Sequence, residues 1–262
     1  MEEQIEMEAG IKDPEVQRVR LLKVPVDIVR PEDFALLIFR LASRQEPQNI
    51  VLLSLWDLLR ARHNAEYREY VERASLVIPI SKSIVAGAAF LLSKRPVRYM
   101  PFDFVIRCLS ALEEHAFSCY LLGGRKKMMH TVEKNIVCTF PNLHIVGRYS
   151  GRLKKHGEEQ VIAAIRKSSP SLLLVGRRIR GGEFWLARHT GQLGNGLRLW
   201  CSDLFDVLAG NTWRPSKRTF DLGLEWVGYC ARSPLRLFRL FPFLYYNFLL
   251  IAYKLFGRKQ AE

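Results

Sequence analysis

The chain has 262 residues, a formal net charge of +14 and 48% hydrophobic content, enough apolar material for one large or two small domains. That charge asks for an anionic partner: nucleic acid, acidic lipid or a phosphorylated substrate. Five cysteines (Cys108, Cys119, Cys138, Cys201, Cys230) are an odd number without CxxC or metal-like spacing. They argue against a disulfide framework and read as reduced, mostly buried thiols of a cytoplasmic protein.

Residues 1–18 begin MEEQIEMEAGIKDPE, acidic and without an apolar h-region, so they are expected to be a disordered N-terminus rather than a signal peptide. VRLLKVPVDIV then reads as a strand and PEDFALLIFRLASR as a helix with Pro31 in its first turn. NIVLLSL (49–55) is a buried-strand run, and WDLLRARHNAEYREYVERA is helical. SLVIPI (75–80) is a strand, KSIVAGAAFLLSK a helix with small residues for close packing, and PFDFVIRCLSALEEHA (101–116) a helix opened by Pro101. FSCYLLGG (117–124) is a strand ending in paired glycines, with a helix following to about Thr139. LHIVGRYSG (143–151), a helix over 157–168, SLLLVG (171–176) and LRLWCS (197–202) continue the alternation.

Strands alternating with helices predict an α/β fold: a Rossmann-like parallel sheet flanked by helices over residues 19–210. Ligands of such sheets sit beyond the carboxyl ends of the strands, so the loops there carry the functional signal. Gly123 and Gly124 end one strand and are followed by Arg125, Lys126 and Lys127. A glycine turn at a helix N-terminus suits a phosphate, or is simply a tight βα turn. Arg177, Arg178 and Arg180 crowd another such loop. The six histidines show no HxH, HExxH or Cys/His pairing, so no metal is expected. No GxSxG, Walker A, RNP, KH or zinc-finger pattern is present, so a nucleic-acid partner is not expected.

Residues 211–262 read as a basic, amphipathic helical appendage. Thr212–Glu262 holds nine Lys/Arg against three acids, a local net of +6. Within it, Phe241 to Tyr253 is uncharged and flanked by Arg239 and Lys254, too short for the about 20 apolar residues of a membrane-crossing helix. Aromatics between cations suit a segment lying in a membrane interface with anionic lipid. Phe241, Phe243, Tyr245, Tyr246, Phe248 and Lys254 are the candidate membrane contacts. A helix packed on its own domain, or a dimer contact, would use the same residues.

The pieces CYLLGGRKK, FPNLHIVGRYSG, SPSLLLVG, an ExW, LFDVLAGNTWRPSK and LGLEWVGYCARSPLRLFR follow one another in order. Together they resemble the WecG/TagA/CpsF glycosyltransferases from about Val24 to Arg239. The resemblance implies a cytoplasmic enzyme, peripheral on the inner face of the membrane, acting in cell-surface polysaccharide synthesis. It implies transfer of an N-acetylhexosamine, N-acetylmannosamine or a relative, from a UDP-sugar to a polyprenyl-diphosphate-linked acceptor. No cofactor and no metal are implied, and a homo-oligomer stays open.

Several ligand-loop positions depart from that family's pattern. Ile80 stands where the family's PDGxG loop bears its catalytic Asp, and an alkyl side chain accepts no proton. Leu52 and Ser54 replace a Thr and an Asn, Gly182 replaces the Gln of a GxPKQE loop, and Trp200–Asp203 replaces a glycine-rich approach. Arg98, Asp103, Glu183, Trp185, Asp206, Arg214, Glu225 and Trp226 do match. By the resemblance Arg98 contacts a diphosphate, with Gly123, Gly124 and Glu183 beside the substrate. Arg214, Arg232 and Arg236 meet the acceptor diphosphate or headgroups, or are solvated surface charges. Asp103, Glu183, Asp203 and Asp206 are the candidate bases, though Asp103 and Asp206 would serve equally as helix caps and Glu183 with Trp185 as framework. Three readings follow: an active transferase with a relocated base, a catalytically inactive pseudo-glycosyltransferase acting as membrane-docked scaffold or regulator, and a basic adaptor.

Overall fold

The computed structural model describes residues 14–153, 155–212, 217–222 and 240–256. Its centre is a six-stranded, all-parallel sheet in the order β4-β3-β8-β7-β5-β6. The strands are β3 (Pro47–Leu53), β4 (Leu76–Pro79), β5 (Ser118–Gly124), β6 (His144–Ser150), β7 (Leu172–Val175) and β8 (Gly196–Trp200). The near-continuous Val/Ile/Leu runs of β3, β4, β5 and β7 are fully buried because both faces of the sheet are covered. The α/β expectation holds.

Alternate strand residues feed two cores. Ile50, Leu52, Leu121, Leu174 and Leu199 face one, closed by α1 (Phe34–Ser43), α5 (Pro101–Glu113), α6 (Lys126–Thr139) and α9 (Leu204–Leu208). Val51, Leu53, Leu122 and Val175 face the other. That side carries α2 (Leu55–His63), α3 (Ala65–Glu72), α4 (Lys82–Leu92), α7 (Lys155–Ser168), α8 (Glu183–His189) and α11 (Leu240–Phe256). A short α10 (Lys217–Leu222) lies between α9 and α11 in sequence.

Two expected elements divide. VRLLKVPVDIV is an antiparallel hairpin, β1 (Val16–Leu21) and β2 (Val24–Val29), because Leu22 and Lys23 both take positive φ in the turn (50° and 71°). It lies outside the main sheet, and it starts at Val16, inside the stretch expected to be disordered to residue 18. The hairpin closes the sheet's β4 edge: buried Asp27 accepts from Val77 N at 2.7 Å and from Arg18 Nε and Nη2, each at 2.7 Å. Covering an edge strand in this way blunts it as a template for pairing with another chain. The expected single helix after β3 breaks at Asn64, whose side chain caps α3 by accepting from Tyr67 N at 2.8 Å. Upstream, Ser54 and Asp57 form a capping box on α2.

The chain leaves β3 toward one face and β5 toward the other, with β8 and β7 between them. The carboxyl edge of these central strands is therefore the topological switch point, where such sheets open a crevice.

Candidate functional site

The loops after β5, β7 and β8 meet at that edge. Arg177, after β7, bridges two carboxylates: its Nη1 lies 2.9 Å from Asp203 Oδ1 and its Nη2 3.1 Å from Asp206 Oδ2. Arg125, after β5, places Nε 3.4 Å from Asp206 Oδ1. Asp206 is buried between the two guanidiniums, whereas Asp203 keeps 54% of its side chain in solvent. Arg125, Lys126, Lys127 and Arg180 are exposed around them, with Arg178 half-buried. Six cations thus stand against two acids at the crevice. Positive charge gathered in this way is the arrangement that suits a phosphate-bearing ligand.

The glycine pair is explained by packing. Gly123 has φ +87°, and a Cβ on it would stand 2.6 Å from Ile179 Cγ1. A Cβ on Gly124 would overlap the Met129 sulfur. Gly182, where the sequence pattern loses a Gln, takes φ +52° and lies under the Trp200 indole: a Cβ would stand 2.9 Å from Nε1. That Nε1 is buried and without a hydrogen-bond partner.

At the β4 end, half-buried Ile80 packs against the first core, and its N–H donates to Leu53 O at 3.0 Å. Arg98 donates from Nε to Ile80 O (2.9 Å) and from Nη1 to Phe220 O (2.6 Å), and its guanidinium lies 3.7 Å over the Phe220 ring. Burial lowers its pKa to about 10. Arg98, expected as a diphosphate contact, ties α10 to the end of β4 through these bonds. Asp103 sits in the first turn of α5, where a carboxylate complements the helix dipole.

Glu183 is 6% exposed on the second face and accepts from Tyr67 Oη at 2.6 Å. Burial, then the nearby Asp57 carboxylate, raises its pKa to about 8. Burial also raises that of Asp57. Trp185 Nε1 donates to Glu158, so the ExW residues fasten α8 to α3 and α7. The candidate carboxylates therefore separate: Asp203 and Asp206 share Arg177, Glu183 lies under the sheet's second face, and Asp103 belongs to α5. Sequence reasoning missed the Asp57–Tyr67–Glu183 cluster and Arg198, a cation on β8 that is 1% exposed. An arginine inside the strand run GLRLW was the available signal for the latter.

The C-terminal helix is docked. Tyr246 and Leu250 are buried against α4, with Tyr246 Oη donating to Ser83 O at 3.0 Å. Tyr246, expected to face a membrane, is 1% exposed and belongs to the core. On the other side of the helix Phe241, Leu244, Phe248, Ile251 and Leu255 form an exposed apolar stripe, with Phe243 and Tyr245 also exposed. Lys254 donates to Phe90 O at 3.2 Å and lies 3.9 Å over the Phe90 ring. No helix among the described residues is long and apolar enough to cross a membrane. Arg214, Arg232 and Arg236 lie outside the described residues.

The model of the glycosyl transferase WecG/TagA/CpsF family matches residues 19–261. The chain belongs to that family. A relative in Bacillus spizizenii, named N-acetylglucosaminyldiphosphoundecaprenol N-acetyl-beta-D-mannosaminyltransferase, is 20% identical over 176 residues, covering 67% of this chain and 68% of the relative. Among the described residues of this WecG/TagA/CpsF family member, the cationic crevice lies at the carboxyl edge of the sheet and the exposed apolar stripe on α11.

Proposed function

We propose that this chain transfers an N-acetylhexosamine from a UDP-sugar to a polyprenyl-diphosphate-linked acceptor while resting on a membrane surface, in cell-surface polysaccharide synthesis. The observation that supports this most directly is the cation-lined crevice at the switch point of a sheet of this family. The relative's name supplies the acceptor chemistry, an undecaprenol diphosphate bearing a sugar.

In this reading Arg125, Arg177 and their neighbouring cations neutralise the donor diphosphate as UDP leaves. The acceptor hydroxyl attacks the anomeric carbon, the bond from that carbon to the UDP oxygen breaks, and the hydroxyl proton passes to a carboxylate. Asp203 is the base we assign, because it is the solvent-accessible member of the crevice pair and its ion pair with Arg177 orients it. The exposed face of α11 rests in the interface, its apolar stripe among lipid and its basic flanks at the headgroups.

A second reading, an inactive scaffold, is favoured by Ile80 and by the engagement of Arg98 with backbone carbonyls. One experiment separates the two: calorimetric titration with UDP and UDP-N-acetylhexosamines, followed by a transfer assay on a polyprenyl-diphosphate-N-acetylglucosamine acceptor. Binding with turnover supports the transferase. Binding without turnover supports the scaffold, and no binding overturns the crevice as a donor site.

A further inference from the structure

Between α2 and the start of α11 runs a groove of about 420 Å³, lined by Trp56, Leu59, Arg60, His63, Phe241 and Tyr245, with Pro242. That volume falls in the range of small-molecule sites, roughly 300–1,000 Å³. Its walls are aromatic and aliphatic. Trp56 is half exposed, and Tyr245 stacks on His63 with ring centroids 6.1 Å apart. Arg60 does not point a bare charge into it, because its guanidinium lies 4.4 Å over Phe184 and 4.7 Å over Tyr67.

Position distinguishes this groove from a chance apolar hollow. Helix α2 begins directly after the carboxyl end of β3, so Trp56, in its first turn, stands at the ligand edge of the sheet. Helix α11 runs alongside α4 in the same direction: Tyr246 meets Ser83 and Gly87, and Lys254 meets Phe90. Since α4 also starts at a strand's carboxyl end, the beginning of α11, with Phe241, lies toward that edge. From Trp56 to His63 the groove wall extends roughly 10 Å at 1.5 Å per residue. Its residues Phe241 and Tyr245 share α11 with the exposed stripe of Leu244, Phe248 and Ile251. It therefore lies between the carboxyl edge of the sheet, the proposed place of reaction, and the exposed face of α11 proposed above to meet lipid.

We infer that the groove between α2 and α11 holds the first isoprene units of the lipid acceptor, next to its diphosphate. The inference rests on the acceptor assigned above. A branched, flexible hydrocarbon gains from a channel walled by Trp56, Leu59, Phe241 and Tyr245 through apolar burial alone. The channel holds the lipid near the edge, so the diphosphate leaves the bilayer without the whole chain following it.

The test is photolabelling of the full-length protein on anionic vesicles with a diazirine-bearing farnesyl diphosphate. Labelling is competed by unlabelled farnesyl diphosphate or by a diacyl phospholipid, and transfer is measured in parallel. The expected result is adducts on Trp56, Phe241 or Tyr245 that farnesyl diphosphate removes and phospholipid does not. The variant Trp56→Ala, at an exposed position on α2 and off the α11 face that meets lipid, should lose the labelling of Phe241 and Tyr245 about tenfold with unchanged vesicle binding. Adducts confined to Leu244, Phe248 and Ile251, or competed equally by phospholipid, overturn the groove as a dedicated site. Transfer with an unlabelled groove also overturns it and leaves the proposed function standing. Competed labelling without transfer keeps the groove and removes the catalytic reading.

Discussion

Gly87 and Tyr246 are in direct contact: a Cβ built on Gly87 would land on the Tyr246 hydroxyl, and would stand 3.2 Å from Leu250 Cδ2. The small-residue run of α4 thus serves a definite purpose. It lets α11 approach closely enough for Tyr246 to donate to Ser83 O, and this seats the helix with its other face turned outward.

A bulky residue at Gly87 should therefore unseat α11. Gly87→Leu is expected to leave circular dichroism of the α/β domain near that of the parent, since the clash falls on α11 and not on the sheet. It should abolish orderly docking on anionic vesicles, read as at least a several-fold loss in flotation. Wild-type flotation by this variant would show that lipid contact does not depend on how α11 is seated.

A second prediction concerns the covered edge of the sheet. Asp27 is buried and receives three short hydrogen bonds, two from Arg18 and one from the edge strand at Val77. Replacing it with Ala strands the Val77 N–H and takes the ion-pair partner from Arg18, which keeps its bond to Ala74 O at 2.8 Å. Loss of one partner of such a pair costs about 3–5 kcal/mol when fully buried. With Arg18 partly exposed, about 3 kcal/mol is expected, measured as a lower urea midpoint. A change below about 0.5 kcal/mol would mean that the hairpin is dispensable to the sheet.

Much of the architecture was legible because buried parallel strands are written as apolar runs, and those between Asn49 and Cys201 are unambiguous. The hairpin was not, because its turn residues, Leu22 and Lys23, are not turn-formers and their positive φ carries no sequence signal. Asn64 was readable as a cap but lies inside a helical pattern. The site was legible only in part. Arg177 and Asp203 are 26 residues apart, and nothing in the spacing says that they pair. Tyr246 carries the same letter as Tyr245, and only the phase of the helix against α4 decides that one is core and the other surface.

The crevice yields a third prediction. If Asp203 is the base, Asp203→Asn should lower the transfer rate about 10²–10⁴-fold while UDP affinity holds, because Arg177 keeps its contact with Asp206. Arg177→Ala should do the reverse to binding, weakening UDP by about tenfold or more through loss of a charge-assisted phosphate contact. Equal rates for Asp203→Asn and the parent would eliminate Asp203 as the base. Asp206→Asn, which leaves Asp203 in place, would then be the next variant to assay.

The last prediction follows from Glu183. Its pKa is about 8 in the folded protein against an ordinary carboxylate value of 4.5, because burial penalises the charged form. Between those values the folded state holds a proton that the unfolded state has released. Its stabilising contribution is therefore complete below about pH 4.5 and is lost as pH rises toward about 8. In that window stability should fall by about 1.4 kcal/mol per pH unit from this group alone. Glu183→Gln keeps an acceptor for Tyr67 Oη and removes the titration. Urea midpoints of the two proteins should therefore diverge with rising pH, the variant gaining on the parent from pH 5 to pH 8. Parallel curves across that range would mean that Glu183 is ionised in the fold, with Tyr67 sufficient to hold its charge.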